Sequence, residues 1–311
     1  MERNLNFDNV INRRNTDCLK FDFAERRGMP KDVLPLWVAD MDFQTSSYIQ
    51  DALEERVKHG IFGYSETTKP YFEAVSGWMK THHDWEIKEN WIIKTPGIVF
   101  ALAMAVKTFT NVGDNVLIQL PVYYPFSEVI TDNGRNIVSN TLYLGDDNRY
   151  HIDYEDFEKK ITENNIKLFL LCNPHNPVGR VWTKEELTKL GNICVKYGVT
   201  VVSDEIHQDF VFKGKHQVFA NIKKEFADIT VTCTAPSKTF NLAGLIGSYH
   251  IIYNEALRDR VEARGSKSHY NEMNVLSMHA LIGAYKQEGY EWVDELCQVL
   301  TENVRFACDY I

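Results

Sequence analysis

The chain has 311 residues, of which 44% are apolar and 25% charged, and its formal net charge is −9. That balance fits a folded protein of one large domain plus a smaller one, and it argues against nucleic acid as a partner. No apolar run approaches membrane-span length, Met1-Glu2-Arg3-Asn4 opens no signal-peptide core, and six cysteines without a Cys-x-x-Cys pair point to a reduced cytoplasm.

Residues 1 to about 35 are polar and mixed and read as an irregular arm. Pro35 to Phe43 (Pro-Leu-Trp-Val-Ala-Asp-Met-Asp-Phe) alternates like a short strand. Apolar residues at 49, 52, 53 and 57 predict a helix over 48–60 that Gly60 can cap, and 71–80 has the same period. Strand 91–95 turns at Pro96-Gly97 into a helix over 98–109. Such a corner presents unpaired backbone N–H groups and the positive end of a helix dipole, so Gly97, Ile98 and Val99 form a candidate phosphate site. Strands follow at 115–119 and 136–142, and a helix at 154–164. Thr183-Lys184-Glu185-Glu186 resembles a capping box opening a helix to Tyr197, which Gly198 stops. A strand at 248–252 precedes helices over 274–286 and 290–311.

Between these lie three runs that read as buried strands, each ending in polar residues. Leu168 to Cys172 runs into Asn-Pro-His-Asn-Pro-Val-Gly-Arg (173–180). Val199 to Ser203 runs into Asp-Glu-Ile-His (204–207). Ile229 to Thr232 leads to Ala-Pro-Ser-Lys-Thr-Phe-Asn-Leu-Ala-Gly (235–244). Open α/β sheets bind ligands past the carboxyl ends of their strands. A Lys near such an edge loses basicity on burial and becomes a nucleophile suited to a Schiff base. An Asp, an Asn and a Lys gathered there suit a pyridine cofactor.

The three motifs, in this order, resemble the pyridoxal-phosphate enzymes of the aspartate aminotransferase fold, and more narrowly the MalY/PatB-type cystathionine β-lyases. The resemblance runs from about Leu36 to the last residue. It implies an α/β fold of type I: a three-layer large domain over 51–288 with a mostly parallel seven-stranded sheet. It further implies an arm and part of a small domain over 1–50, and an interdomain helix with the start of a C-terminal small domain over 289–311. It implies that Lys238 carries pyridoxal 5'-phosphate and is the catalytic base. By the same resemblance Asp204 pairs with the ring nitrogen, Asn176 and His207 lie near the ring oxygen, and Tyr123 and Ile206 flank the ring. Ser237 and the amides at 97–99 hold the phosphate, and Tyr64 reaches it from the partner subunit of a homodimer. Segment 35–43 lines the substrate side, and no metal is expected.

Two departures matter. Many aminotransferases carry Arg eight positions after the Lys, where this chain has Ile246, and Ser three positions before it, where it has Ala235. Both fit the lyase group better. The family's chain also continues past the position of Ile311 and supplies there an Arg for the substrate carboxylate, so a truncated small domain is expected. The reading is a β-elimination of sulfur amino acids giving pyruvate, ammonia and a thiol. The alternatives are an aminotransferase on the same fold, or an impaired homologue with a binding or regulatory role.

Overall fold

The computed structural model describes residues 7–269 and 272–311. Among the described residues nine strands are present: β1 (Ile92–Thr95), β2 (Asn115–Ile118), β3 (Asn136–Ser139), β4 (Tyr143–Leu144), β5 (Tyr150–His151), β6 (Leu168–Cys172), β7 (Thr200–Asp204), β8 (Thr230–Thr234) and β9 (Ser248–Ile251). Strands β4 and β5 form a small hairpin. The other seven make one sheet in the order β1-β9-β8-β7-β6-β2-β3. Four pairings are parallel, and β9 is antiparallel to both of its neighbours. Two reversals cancel, so β1 runs with the parallel strands and only β9 runs against them. The mostly parallel seven-stranded sheet expected from the motifs is therefore present.

The central strands are apolar without alternation because both sheet faces are covered. Every residue of β6 and β8 is buried. One core layer packs the helices Ile98–Phe109 and Pro125–Thr131 on one face. A second packs the helices Tyr154–Glu163 and Lys184–Tyr197 on the other. A third core joins Ser47–His59, Lys69–His83, Val275–Ala284 and the start of Gln287–Tyr310 to the end of the sheet. Among the described residues no helix is long and apolar enough to cross a membrane.

Local signals account for the element ends. Thr183 and Glu186 form the complete capping box, and Gly198 closes that helix in the left-handed region. Gly60 closes the helix Ser47–His59 in the same way. Two expectations need correction. Segment 35–43 is not a strand: its backbone is held by side chains rather than by a ladder. The strand expected over 136–142 ends at Ser139, although Asn140 and Leu142 still donate to the carbonyls of Ile118 and Leu120. The helix Glu255–Ser268 was not legible, because its mixed, highly charged face has almost no apolar period; its one start signal is the Asn254 side chain, which accepts from the Leu257 N–H.

Candidate active site

The carboxyl ends of β1, β2, β6, β7 and β8 share one edge, and past that edge lies a cavity of about 710 Å3. It gathers residues far apart in sequence: Trp37 to Ala39, Gly97 to Val99, Tyr123, Asn176, Asp204, Ile206, His207, Ser237 and Lys238. Every site residue named from the sequence lines it except Tyr64, which lies away from it and is fully exposed. A second cleft of about 740 Å3, beside the β4–β5 hairpin, shares Asn176, Pro177 and His207 with it.

Each side chain is placed by its strand end. Asp204 is the last residue of β7, in register with Cys172 and Cys233 on either side. The residue is 5% exposed, and its carboxylate accepts the Ile206 N–H at 3.1 Å. Burial, with some help from Glu205, pushes its pKa up to about 7, against the pull of the Ile206 N–H and Lys238. Among the described residues no cationic side chain hydrogen-bonds to it. Lys238 sits in a single helical turn, Pro236–Thr239, that opens on Pro just after β8. Burial lowers its pKa, partly offset by Asp40 and Asp204. Its ammonium donates to the Ala39 carbonyl at 2.8 Å.

That turn is anchored from beneath. The Thr239 hydroxyl donates to buried Asp209 at 2.6 Å, and Asp209 also takes bonds from His83 (3.0 Å) and the Trp78 indole (3.3 Å). The loop after β6 is tied to the loop after β2, since Tyr123 donates its N–H to the Asn176 carbonyl at 2.9 Å. Burial, with Lys238 adding to it, pulls the His207 imidazole down to about 4, so it is neutral at pH 7.

At the corner after β1, Gly97 has φ +97°, a value only glycine adopts without strain. Its expected role changes in one respect. The Gly97 N–H is already donated to the Ser248 hydroxyl (2.9 Å) and to the Thr95 carbonyl (3.0 Å), so it shapes the corner and is not free for an anion. Among the described residues the Ile98 and Val99 N–H groups and the Ser237 hydroxyl have no partner. Ile246 borders the same region at φ +50°, a strained setting for a β-branched residue.

These features fit a phosphorylated pyridine. Unpartnered amides at a helix N-terminus suit the phosphate. A buried carboxylate without a cation suits a protonated ring nitrogen, and a lysine of lowered basicity suits a carbonyl carbon. Sequence reasoning missed the Ala39 carbonyl, Asn241 and the basic residues of the arm, whose contacts span 20 to 200 positions and leave no local pattern.

The profile of the family described as aminotransferase class I and II matches residues 31–309. The chain is 45% identical to cystathionine β-lyase PatB of Bacillus subtilis, over 97% of this chain and 78% of that one. Among solved structures it is similar to cystalysin from Treponema denticola, which contains pyridoxal 5'-phosphate (TM-score 0.92, 39% identity, 97% of this chain and 77% of that one). It is also similar to the pyridoxal-phosphate-bound C-S lyase of Staphylococcus hominis (TM-score 0.90, 34% identity, 98% and 76%).

Proposed function

The chain belongs to the aminotransferase class I and II family, and from that membership we propose that it is a pyridoxal-phosphate-dependent carbon–sulfur β-lyase. Its substrates are amino acids of the cystathionine or cysteine type, and its products pyruvate, ammonia and a thiol. The observation that carries the reading is the meeting of Lys238 and Asp204 in one cavity, in a chain this similar to a cystathionine β-lyase.

In this reading the cofactor, when bound, supplies the electron sink that lets the substrate Cα give up its proton. Lys238 would hold the cofactor through Nζ and, when that amine is free, would take the Cα proton of the substrate. Desolvation keeps that amine less basic than an exposed lysine, so more of it is uncharged near neutral pH. The Ala39 carbonyl, already within hydrogen-bonding distance of Nζ, accepts from the ammonium that results. With the cofactor bound, Asp204 would keep its ring nitrogen protonated, Tyr123 and Ile206 would pack on the ring, and Asn176 would donate to the ring oxygen with His207 nearby. The Ile98 and Val99 amides and Ser237 would hold the phosphate. A homodimer completes the site: Tyr64, exposed and outside its own cavity, is free to reach the partner's. Six unpaired thiols support a cytoplasmic setting. The division at positions 50 and 288 into arm, large domain and interdomain helix belongs to the same reading.

The test is product analysis. Protein supplied with pyridoxal phosphate and cystathionine should release pyruvate and thiol in equal amounts, and Lys238→Ala should lower the rate by at least ~10^3-fold, near the range for loss of a positioned base. Stoichiometric conversion of the cofactor to its amine form without pyruvate would indicate an aminotransferase instead.

A further inference from the structure

Trp37, Val38 and Ala39 form one wall of the cavity, yet 35–43 belongs to no helix or strand. Backbone beside a reactive lysine must find its hydrogen bonds somewhere. Here they come from two directions. From the Lys238 side, Asn241 accepts the Met41 N–H at 3.0 Å and donates to the carbonyls of Met41 (2.9 Å) and Phe43 (3.1 Å). From the opposite side comes the N-terminal arm. The Arg13 guanidinium donates to both oxygens of Asp40 (3.0 and 2.9 Å), to the Met41 carbonyl (3.0 Å) and to Asp42 (2.7 Å). Lys20, itself buried, donates to the Asp40 carbonyl (3.1 Å) and to Asp42 (3.0 Å).

Asp40 and Asp42 both face the arm, while Met41 between them packs on the core. Isolated surface pairs contribute little. This cluster differs: the Arg13–Asp40 pair is two-pronged, both side chains are 21% exposed, and a buried lysine joins it. The residue before Asp40 is Ala39, whose carbonyl takes the Lys238 ammonium at 2.8 Å.

We propose that Arg13 is a positioning residue for the reaction. Its guanidinium latches the strap 37–43 against the Lys238 turn. That fixes the Ala39 carbonyl beside the lysine nitrogen and fixes Trp37 to Ala39 as the wall facing the amino-acid substrate. The proposal rests on the lyase reading of this cavity. Arg13 touches neither substrate nor cofactor; it acts through Asp40 and Asp42.

The test compares Arg13→Met and Arg13→Lys with the wild type, all as cofactor-loaded full chains. Backbone hydrogen exchange over 37–43 is read by mass spectrometry, together with KM and kcat for a sulfur amino acid. Arg13→Met should speed exchange over 37–43 by ~10-fold or more while leaving β8 unchanged. It should raise KM ~5-fold or more and lower kcat, and Arg13→Lys should fall between, because lysine cannot make the two-pronged contact. Unchanged exchange in the strap overturns the proposal. So does faster exchange with KM and kcat unmoved, since the latch would then serve stability alone. Should Arg13→Met fail to fold, Asp42→Ala removes the outer contact, keeps the Asp40 pair, and must show the same effects in smaller measure. A wild type that does not turn over sulfur amino acids would fail the lyase reading, while the exchange comparison would still decide whether Arg13 holds the strap.

Discussion

Asp204 is a carboxylate placed where ionisation is unfavourable until a cation arrives. Its pKa in the cofactor-free protein, about 7, lies above the ordinary 3.8. A raised folded-state pKa means the folded chain holds this proton more tightly than the unfolded chain. The resulting stability is fully present below about pH 4 and is lost as pH rises through about 7. Cofactor-free Asp204→Asn should therefore lack this loss. Relative to the wild type it should gain up to a few kcal/mol in unfolding free energy between pH 4 and 8, measured by denaturant titration at several pH values. An identical pH dependence in the two proteins would show that Asp204 is not the buried acid described. Charge partners explain why Asp209, equally buried, behaves in the opposite way. Burial raises its pKa, but bonds from His83 and Thr239 more than offset that, and it stays ionised beneath the Lys238 turn.

Among the elements, the helix Lys184–Tyr197 shows how much of the structure was legible locally. Its capping box and its Gly198 stop were both readable from residue type, because each depends on neighbours within four positions. Gly191, inside that helix, was not explained by the sequence. A Cβ built there would meet the Phe226 ring at 2.3 Å, and that ring cannot withdraw, since it is buried and stacked on Phe219 at 5.1 Å. Helix propensity alone favours Gly191→Ala by about 1 kcal/mol. Overpacking of the interface with the helix Lys224–Ala227 should reverse the sign, with a cost of roughly 1–3 kcal/mol and a fall in Tm of about 2 °C or more. A stabilised variant would show that the two helices are less tightly packed. The strand expected over 35–43 failed for the complementary reason: its alternation is real, but it points two aspartates at Arg13 and Lys20 and pairs with no strand.

For the molecule as a whole, the cavity is a meeting of distant segments rather than a property of any one of them. Three strand-end motifs were legible because each is short and chemically unusual. The closure of the site was not, because Lys238 meets Ala39 across 199 positions and Asn241 meets Met41 across 200. A ligand that bridges all these segments binds only the folded chain. Saturating pyridoxal phosphate should accordingly stabilise the protein by about 2.7 kcal/mol at a hundredfold excess over Kd, seen as a Tm that climbs with ligand concentration. A Tm independent of the cofactor would mean that it does not bind the folded chain. The 200-position span also has a meaning in time. At about 5–20 residues per second, ribosomal synthesis takes roughly 10–40 s to pass from Met41 to Asn241. Throughout that interval the nascent chain holds Arg13, Lys20 and the strap they grip, but not the asparagine that fastens it or the lysine it shelters. The wall of the pocket is made tens of seconds before its floor, and until then chaperones and proteases meet the strap with its inner hydrogen bonds unmade.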